Sequence, residues 1–340
     1  MLSRVANSLY WMVRYIERAD NLARLIEVNE RLLLDVGSVV SGRPDAFWRS
    51  ILASTGDDEA FDTLVEEGEA VDVVRFLIED PRNPNSIRSC VAQARENARM
   101  VRDQLSESLW EEINALYLFL NSPGGSRWFD SNPSHFYETI RRATYSFHGI
   151  AAATLMRGEA WDFMELGRYL ERADKTTRFL DITHFLPETG DNGIDRLQAI
   201  LSSCGGLAAF RELYKGALEA ANVNEFLIFE AGFPRSVVFC MDRVDASLHR
   251  ISGMPRGSYG DEVERASGRL LGELAYGSVE DVNALGLHQY LDGLQTRFNE
   301  IGEAIFRSYV LLPETSDERP MVPASSARAV MDWQIQQQQQ

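Results

Sequence analysis

The chain contains 340 residues, of which 45% are hydrophobic, and its 51 acidic and 34 basic side chains give a net charge of −17. This length and composition suit one large domain or two ordinary domains with a substantial core, and they argue against wholesale disorder. The acidic surplus disfavours nonspecific binding to nucleic acid or to anionic membranes, because the field of the whole molecule repels both. We therefore expect neither as a partner.

The cysteines and the N-terminus indicate a reducing compartment. Cys90, Cys204 and Cys240 form no C-x-x-C pair, and their odd number disfavours a disulfide framework. Arg14 interrupts the first apolar stretch before it reaches the length of a signal peptide. No run approaches the roughly 20 apolar residues that span a bilayer. These features predict a cytoplasmic protein.

Helical periodicity along almost the whole chain predicts an all-α fold. In chain order, the predicted helices cover residues 2–35, 86–105, 108–120, 135–156, 160–185, 195–217, 235–252, 260–276 and 288–310. Clusters of glycine, proline and serine predict turns at 122–126 and 187–193. Residues 319–340 end in five glutamines, which predicts a mobile tail or one that is ordered only against a partner.

Two segments of the sequence occur twice in the same order. RYIERADNLAR at 14–24 matches RYLERADKTTR at 168–178 in seven of eleven positions. The pattern P-x-S-[IV]-x-x-C at 84–90 returns at 234–240, at nearly the same offset. Repetition at a fixed offset indicates a duplicated unit. We therefore predict two diverged copies of a multi-helix unit, 1–157 and 158–318, packed as a helical bundle.

The repeated Glu-Arg segments carry the first candidate functional residues. Helical spacing places one carboxylate and several basic side chains on the same face of each segment; the candidates are Arg14, Glu17, Arg18, Arg168, Glu171 and Arg172. Three hypotheses follow. The residues form ion pairs along an amphipathic helix, or Glu17 and Glu171 are buried in arginine forks that fix how the copies dock. Alternatively, a glutamate with a raised pKa acts as a general base.

A second candidate is an arginine stripe on the predicted helix 86–105. Its members Arg88, Arg95, Arg99 and Arg102 fall within roughly 60° of one helix face. Four aligned guanidinium groups could bind phosphate or carboxylate groups of a substrate or of a partner protein. The alternative is that they neutralise acidic helices and pack within the fold. The second copy has no such stripe.

Motifs for metals, cofactors and nucleophiles are weak or missing. Asp181-x-x-His184 has a spacing used in helical carboxylate sites, but five scattered histidines are too few for a di-metal bundle. Cys90 and Cys240 fall on apolar faces and are predicted core residues, whereas Ser86 and Ser236 are predicted helix caps. The sequence has no P-loop, dinucleotide-binding or nucleophile-elbow motif, so we predict no metal and no cofactor.

Several blocks of the sequence resemble the alpha-E family of bacterial helical proteins, which is named for a Glu-Arg motif. They are LSRVANSLYWMVRYIERADNLARLIE, NPNSIRSCVAQARENARMVRDQLS, GEAWDFMELGRYLERAD, FPRSVVFC and the glutamine-rich end. One departure is Val13, where the family often has a small residue; the second copy has Gly167 at that position.

The resemblance implies a genetic association with circularly permuted ATP-grasp-type ligases, and with transglutaminase-like and proteasome-like neighbours. It therefore implies a part in ATP-dependent amide or peptide chemistry.

Three functional hypotheses remain open. The leading one is a non-catalytic helical partner of an ATP-grasp-type ligase, which presents the acceptor or completes the ligase site. The second is an enzyme that uses Glu17 and Glu171 for acid–base or transfer chemistry. The third is a structural homo-oligomer. A peptide or an anionic small molecule is the expected kind of ligand.

Overall fold

The computed structural model describes residues 1–36, 44–68, 71–185, 193–216 and 218–311, and within these ranges it contains sixteen α-helices and no strand. In chain order they are α1 Ser3–Val36, α2 Pro44–Thr55, α3 Asp58–Glu66, α4 Val73–Ile78, α5 Ile87–Met100, α6 Glu107–Leu120, α7 Pro123–Ser131, α8 Pro133–Thr154, α9 Glu159–Phe185, α10 Gly193–Ser203, α11 Leu207–Leu213, α12 Ala220–Phe229, α13 Val237–Ser252, α14 Glu262–Tyr276, α15 Val279–Leu285 and α16 Leu287–Tyr309. The prediction of an all-α fold is confirmed. The predicted tail at 319–340 lies outside the described residues, as does most of the predicted turn at 187–193.

Side-chain caps begin the helices that follow the repeated proline motif. Ser86 Oγ accepts a hydrogen bond from Ser89 N at the start of α5, and Ser236 Oγ accepts one from Phe239 N at the start of α13. Each cap satisfies a backbone N–H that has no partner within the helix. The predicted capping role of both serines is confirmed.

Three details of the predicted helices were wrong. The predicted helix 86–105 ends at Met100, and Arg102 lies in a separate 3₁₀ turn, Arg102–Gln104. The predicted helix 195–217 breaks between α10 and α11, where Gly205 has a φ of +64° that suits glycine. The predicted turn at 122–126 is mostly the start of α7, because Ser122 caps the helix and Pro123 occupies its first turn.

The two longest helices, α1 and α9, cross at the centre of the molecule and contact each other closely. Gly167 makes this possible, because a Cβ atom at that position would lie only 2.2 Å from Tyr10 O. The small residue at this position of the repeat is therefore Gly167 on α9, whereas α1 carries the buried Val13. One hydrophobic cluster extends through both predicted copies, so the two halves share a core.

The helices of the two halves follow the same order and make the same packing contacts. Helix α1 packs against α5 and α8, α5 against α6, and α6 against α8; in the second half α9 packs against α13 and α16, α13 against α14, and α14 against α16. Helix α2 packs on α9, and α10 packs on α1, so each half contributes a helix to the other. This similarity in helix order and packing agrees with a duplicated unit, which stays a prediction.

Candidate functional site

The Glu-Arg segments meet where α1 crosses α9, and each carboxylate pairs with arginines of the other helix. Arg14 Nε donates to Glu171 Oε2 at 2.7 Å, and Arg18 Nε donates to Glu171 Oε1 at 2.7 Å. Arg18 Nη2 adds a longer hydrogen bond to Glu171 Oε2 at 3.2 Å. The Glu171 side chain has no solvent exposure. We call this half of the crossing the Glu171 side.

The opposite half, the Glu17 side, has the same design with one change. Arg172 donates from Nη2 to Glu17 Oε1 at 2.5 Å and from Nε to Oε2 at 3.1 Å. Arg168, which stands where Arg14 stands on the other helix, remains 3.7 Å from Glu17 Oε1. His148 of α8 lies closer, with its Nε2 2.7 Å from the same oxygen. The histidine thus replaces one arginine as a partner of the carboxylate.

The charges at the crossing fix the protonation states of both glutamates. Burial would raise the pKa of Glu17, but Arg172 and His148 outweigh burial and hold this pKa well below its usual value. Burial would also raise the pKa of Glu171, but Arg18 and Arg14 outweigh burial and lower this pKa as well. Both groups are therefore ionised at neutral pH, and a carboxylate so acidic is a weak general base.

These contacts decide between the structural hypotheses for the Glu-Arg segments. Glu17 and Glu171 are fully buried and are held by guanidinium groups of the opposite helix. Pairing along one helix is limited to the longer contact of Lys175 with Glu171, at 3.7 Å, whereas the short arginine contacts of both glutamates cross to the other helix. The geometry matches the arginine forks that fix how the two long helices dock.

A cavity of about 240 Å³ lies on the Glu17 side. Helices α1 and α9 form its floor, Tyr145 and His148 of α8 form one wall, and Phe233 and Pro234 form an apolar wall. Its charged lining consists of Glu17, Asp20, Arg24, Arg168, Arg172 and Arg235. Four guanidinium groups therefore face two carboxylates, in a protein whose total charge is strongly negative.

The histidine of the cavity does not add to this charge. Burial, and then the neighbouring Arg168, lower the pKa of His148 to about 4, although Glu17 acts in the opposite direction. The ring is therefore neutral at physiological pH. The positive excess of the cavity comes from its arginines alone.

The corresponding space on the Glu171 side is almost closed. It measures about 20 Å³ and is lined by Arg18, Asp57, Asn85 and Lys175, among others. Asn85 Nδ2 donates to Asp57 Oδ1 at 3.0 Å, and Arg18 Nη1 donates to Asn85 Oδ1. On the Glu171 side, polar groups of the protein therefore hydrogen-bond to one another, whereas the Glu17 side leaves open space.

The arginine stripe is part of the packing between α5 and α6. Arg95 Nε donates to Asn114 Oδ1 at 2.8 Å, and its guanidinium lies 4.5 Å from the ring centroid of Tyr117. Arg88 Nη2 donates to Leu120 O at 3.0 Å. Arg99 is exposed and pairs with a neighbour on its own helix, whereas Arg102 lies beyond the end of α5. The placement of all four on one helix face was therefore wrong for Arg102.

The other sequence candidates take part in local contacts. His288 Nδ1 lies 2.8 Å from Asp181 Oδ1, and its ring stacks on His184. In the described part of the chain, no group of three or more His, Cys, Asp or Glu residues is arranged to hold a metal ion. Burial raises the pKa of Cys90 and of Cys240 to about 12, in agreement with their predicted core positions.

Sequence reasoning did not assign most of the cavity lining, including Arg24, Arg235, Tyr145 and His148. Arg24 lies inside the repeated segment, and Arg235 occupies the variable position of the proline motif, so both had a signal in the repeats. Tyr145 and His148 lie in α8, and no motif in the sequence marks them.

The profile of the Alpha-E family, described as a predicted alpha-helical domain with a conserved ER motif, matches residues 1–310. The chain belongs to this family. Its Glu-Arg pairs at 17–18 and 171–172 form the arginine forks described above.

The chain is also similar to uncharacterized proteins of Mycobacterium bovis and Mycobacterium tuberculosis, with 24% identity over 345 aligned positions. The match covers 94% of this chain but 39% of each relative, so in those proteins the matching region is part of a longer polypeptide. No solved structure matches the chain. None of the described helices is long and apolar enough to cross a membrane.

Proposed function

We propose that this Alpha-E protein is a non-catalytic helical partner of an ATP-grasp-type peptide or amide ligase, and that it presents an acceptor or completes the ligase site. The state of the buried glutamates supports a partner more than an enzyme. Arginine pairing lowers the pKa of both Glu17 and Glu171, so neither carboxylate is adapted to take up a proton at neutral pH. The Glu-Arg segments then serve as a rigid scaffold.

The architecture of the relatives adds support for a role beside another protein. In the mycobacterial proteins the matching region accounts for 39% of the length, so there it is covalently joined to further polypeptide. The ATP-grasp-type ligase itself comes from the family resemblance and is the part of the proposal that needs a direct test.

The test uses the purified protein and the ATP-grasp-type ligase encoded nearest to its gene. We expect the two to form a complex in size-exclusion chromatography, and we expect ATP-dependent formation of an amide product to rise when this chain is added. Glu96→Ala on the exposed face of α5 is a control that should change neither result, because its ion pair with Arg99 is solvated. A ligase that neither binds this chain nor changes its rate with it would overturn the proposal.

A second measurement separates the partner from the enzyme hypothesis. If this chain by itself converted an acceptor to product, and Glu17→Gln abolished turnover while the fold stayed intact, the glutamate would be catalytic. We expect no turnover from the isolated chain.

A further inference from the structure

The cavity on the Glu17 side combines features that are seldom found together without a ligand. It is lined by four arginines and two carboxylates, and its neutral histidine adds no charge. Arg24 and Arg172 are almost fully buried, with side-chain exposures of 5% and 6%. Burying cationic groups is costly unless each finds an anionic partner. In the lining of this cavity, four guanidinium groups face two carboxylates.

Two of the arginines keep unused donors toward this space. Arg24 donates from Nε to Asp20 and from Nη2 to the Tyr145 hydroxyl, but its Nη1 donates to no other described residue. Arg168 is loosely held, because its nearest carboxylate oxygens lie 3.4 Å away on Glu165 and 3.7 Å away on Glu17. Charge-assisted hydrogen bonds are usually about 2.7–2.9 Å long. Its Nη2 likewise has no acceptor in the described part of the chain.

Arg235 brings a further positive charge to the rim. Its Nη1 and Nη2 donate to Asn21 and Asp20, at 2.6 and 2.8 Å, and its side chain is 11% exposed. Burial, and then repulsion from Arg172, lower the pKa of Arg235. An anion placed between Arg235 and Arg172 would relieve this repulsion.

From this geometry we infer that the cavity is a binding site for the oxyanion of a small ligand, a carboxylate or a phosphoryl group held by Arg24, Arg168, Arg172 and Arg235. A cavity of about 150 Å³ accommodates benzene, so about 240 Å³ has room for a group of about ten non-hydrogen atoms. Phe233 and Pro234 supply an apolar wall for the carbon part of the ligand. The exposed Tyr145 lies at the entrance.

The inference is independent of the ligase. Anion binding without a ligase complex would support this site and overturn the proposed partnership, and a complex without anion binding would do the reverse. If the acceptor of the ligase carries a carboxylate or a phosphate group, it would bind in this cavity, and the two proposals would then describe one function.

The experiment is a calorimetric titration of the full chain with sodium glutarate and, separately, with inorganic phosphate, both at constant ionic strength. We expect one site per chain for at least one probe. Preference for glutarate assigns the site to carboxylates, and preference for phosphate assigns it to phosphoryl groups. Absence of binding for both probes at millimolar concentrations overturns the inference.

Arg235→Gln is the principal variant, because it removes one charge at the rim and keeps a side chain of similar length. We expect at least a tenfold weaker affinity, as a charge-assisted hydrogen bond is lost. Arg99→Gln makes the same charge change at an exposed arginine of α5 and should alter affinity less than twofold. Equal weakening in both variants would mean that the anion responds only to total charge, which contradicts a defined site.

A second pair of variants covers the case in which Arg235→Gln does not fold. Tyr145 is 59% exposed, so its replacement leaves the core intact. Tyr145→Glu places a carboxylate beside Arg24 that competes with the ligand, and we expect at least tenfold weaker binding. Tyr145→Gln has the same shape without the charge and should bind at least five times more tightly than Tyr145→Glu. Equal affinity of these two variants would overturn the inference.

Discussion

The two sides of the α1–α9 crossing share one ion-pair design, but the Glu17 side contains a cavity of about 240 Å³ and the Glu171 side a space of only about 20 Å³. The repeat offsets match Asp57 of the Glu171 side with Gly206, Asn85 with Arg235, and Lys175 with Asn21. On the Glu171 side, Asn85 donates to Asp57 and Lys175 lines the small remaining space. On the Glu17 side, Gly206 carries no acidic side chain and Phe233 packs against it, and Arg235 adds a positive charge.

This difference shows what the cavity requires in addition to the forks. The arginine forks occur on both sides, so they explain how the long helices dock and do not require a ligand. The cavity is lined in addition by residues that differ between the two sides, in the α10–α11 turn, in the proline motif and in α8. A ligand-binding role therefore needs those changes, although Arg24, Arg168 and Arg172 of the inferred site lie in the Glu-Arg segments.

The largest expected effect is the loss of a fork on the closed side. Glu171→Ala leaves Arg14, Arg18 and Lys175 without their shared buried carboxylate. We expect the free energy of unfolding to fall by about 3–5 kcal/mol in urea denaturation. Glu17→Ala should cost less, because the open cavity lets water reach the arginines left behind.

The exposed pair supplies the control for both glutamate variants. Glu96→Ala should change the free energy of unfolding by less than about 1 kcal/mol. If Glu17→Ala cost as much as Glu171→Ala, the cavity would not lower the penalty for unpaired arginines, and the contrast between the two sides would lose its energetic basis.

The second effect concerns His148, whose ring lies 2.7 Å from the Glu17 carboxylate. The pKa of His148 is lowered to about 4 in the folded protein, and its ordinary value is 6.5. As the pH falls through this interval, the unfolded chain takes up a proton that the folded chain does not, so stability falls. The loss reaches at most about 3 kcal/mol near the lower end.

The measurement is the midpoint of thermal unfolding between pH 7 and pH 4.5 for the wild type and for His148→Gln. The variant keeps Glu17 and a neutral hydrogen-bonding side chain, so it should lose clearly less stability over this range. Parallel curves for the two proteins would show that His148 is not buried in its neutral form.

The sequence predicted the crossing better than the cavity. The repeated Glu-Arg segments gave buried arginine forks as one of three open hypotheses, because the same charges recur at the same helical spacing. A third repeat was also readable: ILASTGDDEAF at 51–61 matches ILSSCGGLAAF at 200–210 in six of eleven positions. It includes the Asp57-to-Gly206 change that distinguishes the two sides.

The rest of the cavity depends on tertiary packing. Tyr145 and His148 reach it from α8, whose sequence carries only an ordinary amphipathic pattern. For the arginine stripe, the sequence left a binding face and a packing role open. Contact with the Tyr117 ring of α6 favours packing for Arg95, and the helix ends before Arg102, which spacing alone did not predict.

The third effect concerns how closely the helices approach. Gly167→Ala would place a Cβ atom 2.2 Å from the backbone oxygen of Tyr10, so α1 and α9 must move apart. We expect a loss of about 1–3 kcal/mol in the free energy of unfolding. Gly293→Ala is the matched control, because its Cβ meets no atom within 4 Å in the exposed interior of α16.

Alanine at position 293 should stabilise the protein by about 0.5–1 kcal/mol through its better helix propensity. A Gly167→Ala variant as stable as Gly293→Ala would mean that the crossing tolerates separation. The glycine would then not be the reason for the close contact between α1 and α9.

The smallest expected effect comes from the acidic side chain that closes the Glu171 side. Burial raises the pKa of Asp57 despite its hydrogen bond from Asn85, so its charge is a liability in the folded protein. Asp57→Asn keeps the shape and an acceptor for Asn85, and should change the free energy of unfolding by less than about 1 kcal/mol at pH 7, toward greater stability. Because the folded pKa of Asp57 is raised, the wild type gains stability relative to this variant as the pH falls through that pKa.

Asp20→Asn on the Glu17 side should be clearly destabilising instead, since Asp20 is paired with Arg24 and Arg235. A larger loss for Asp57→Asn than for Asp20→Asn, measured by urea denaturation, would show that the closed side depends on its charge and not on its close packing.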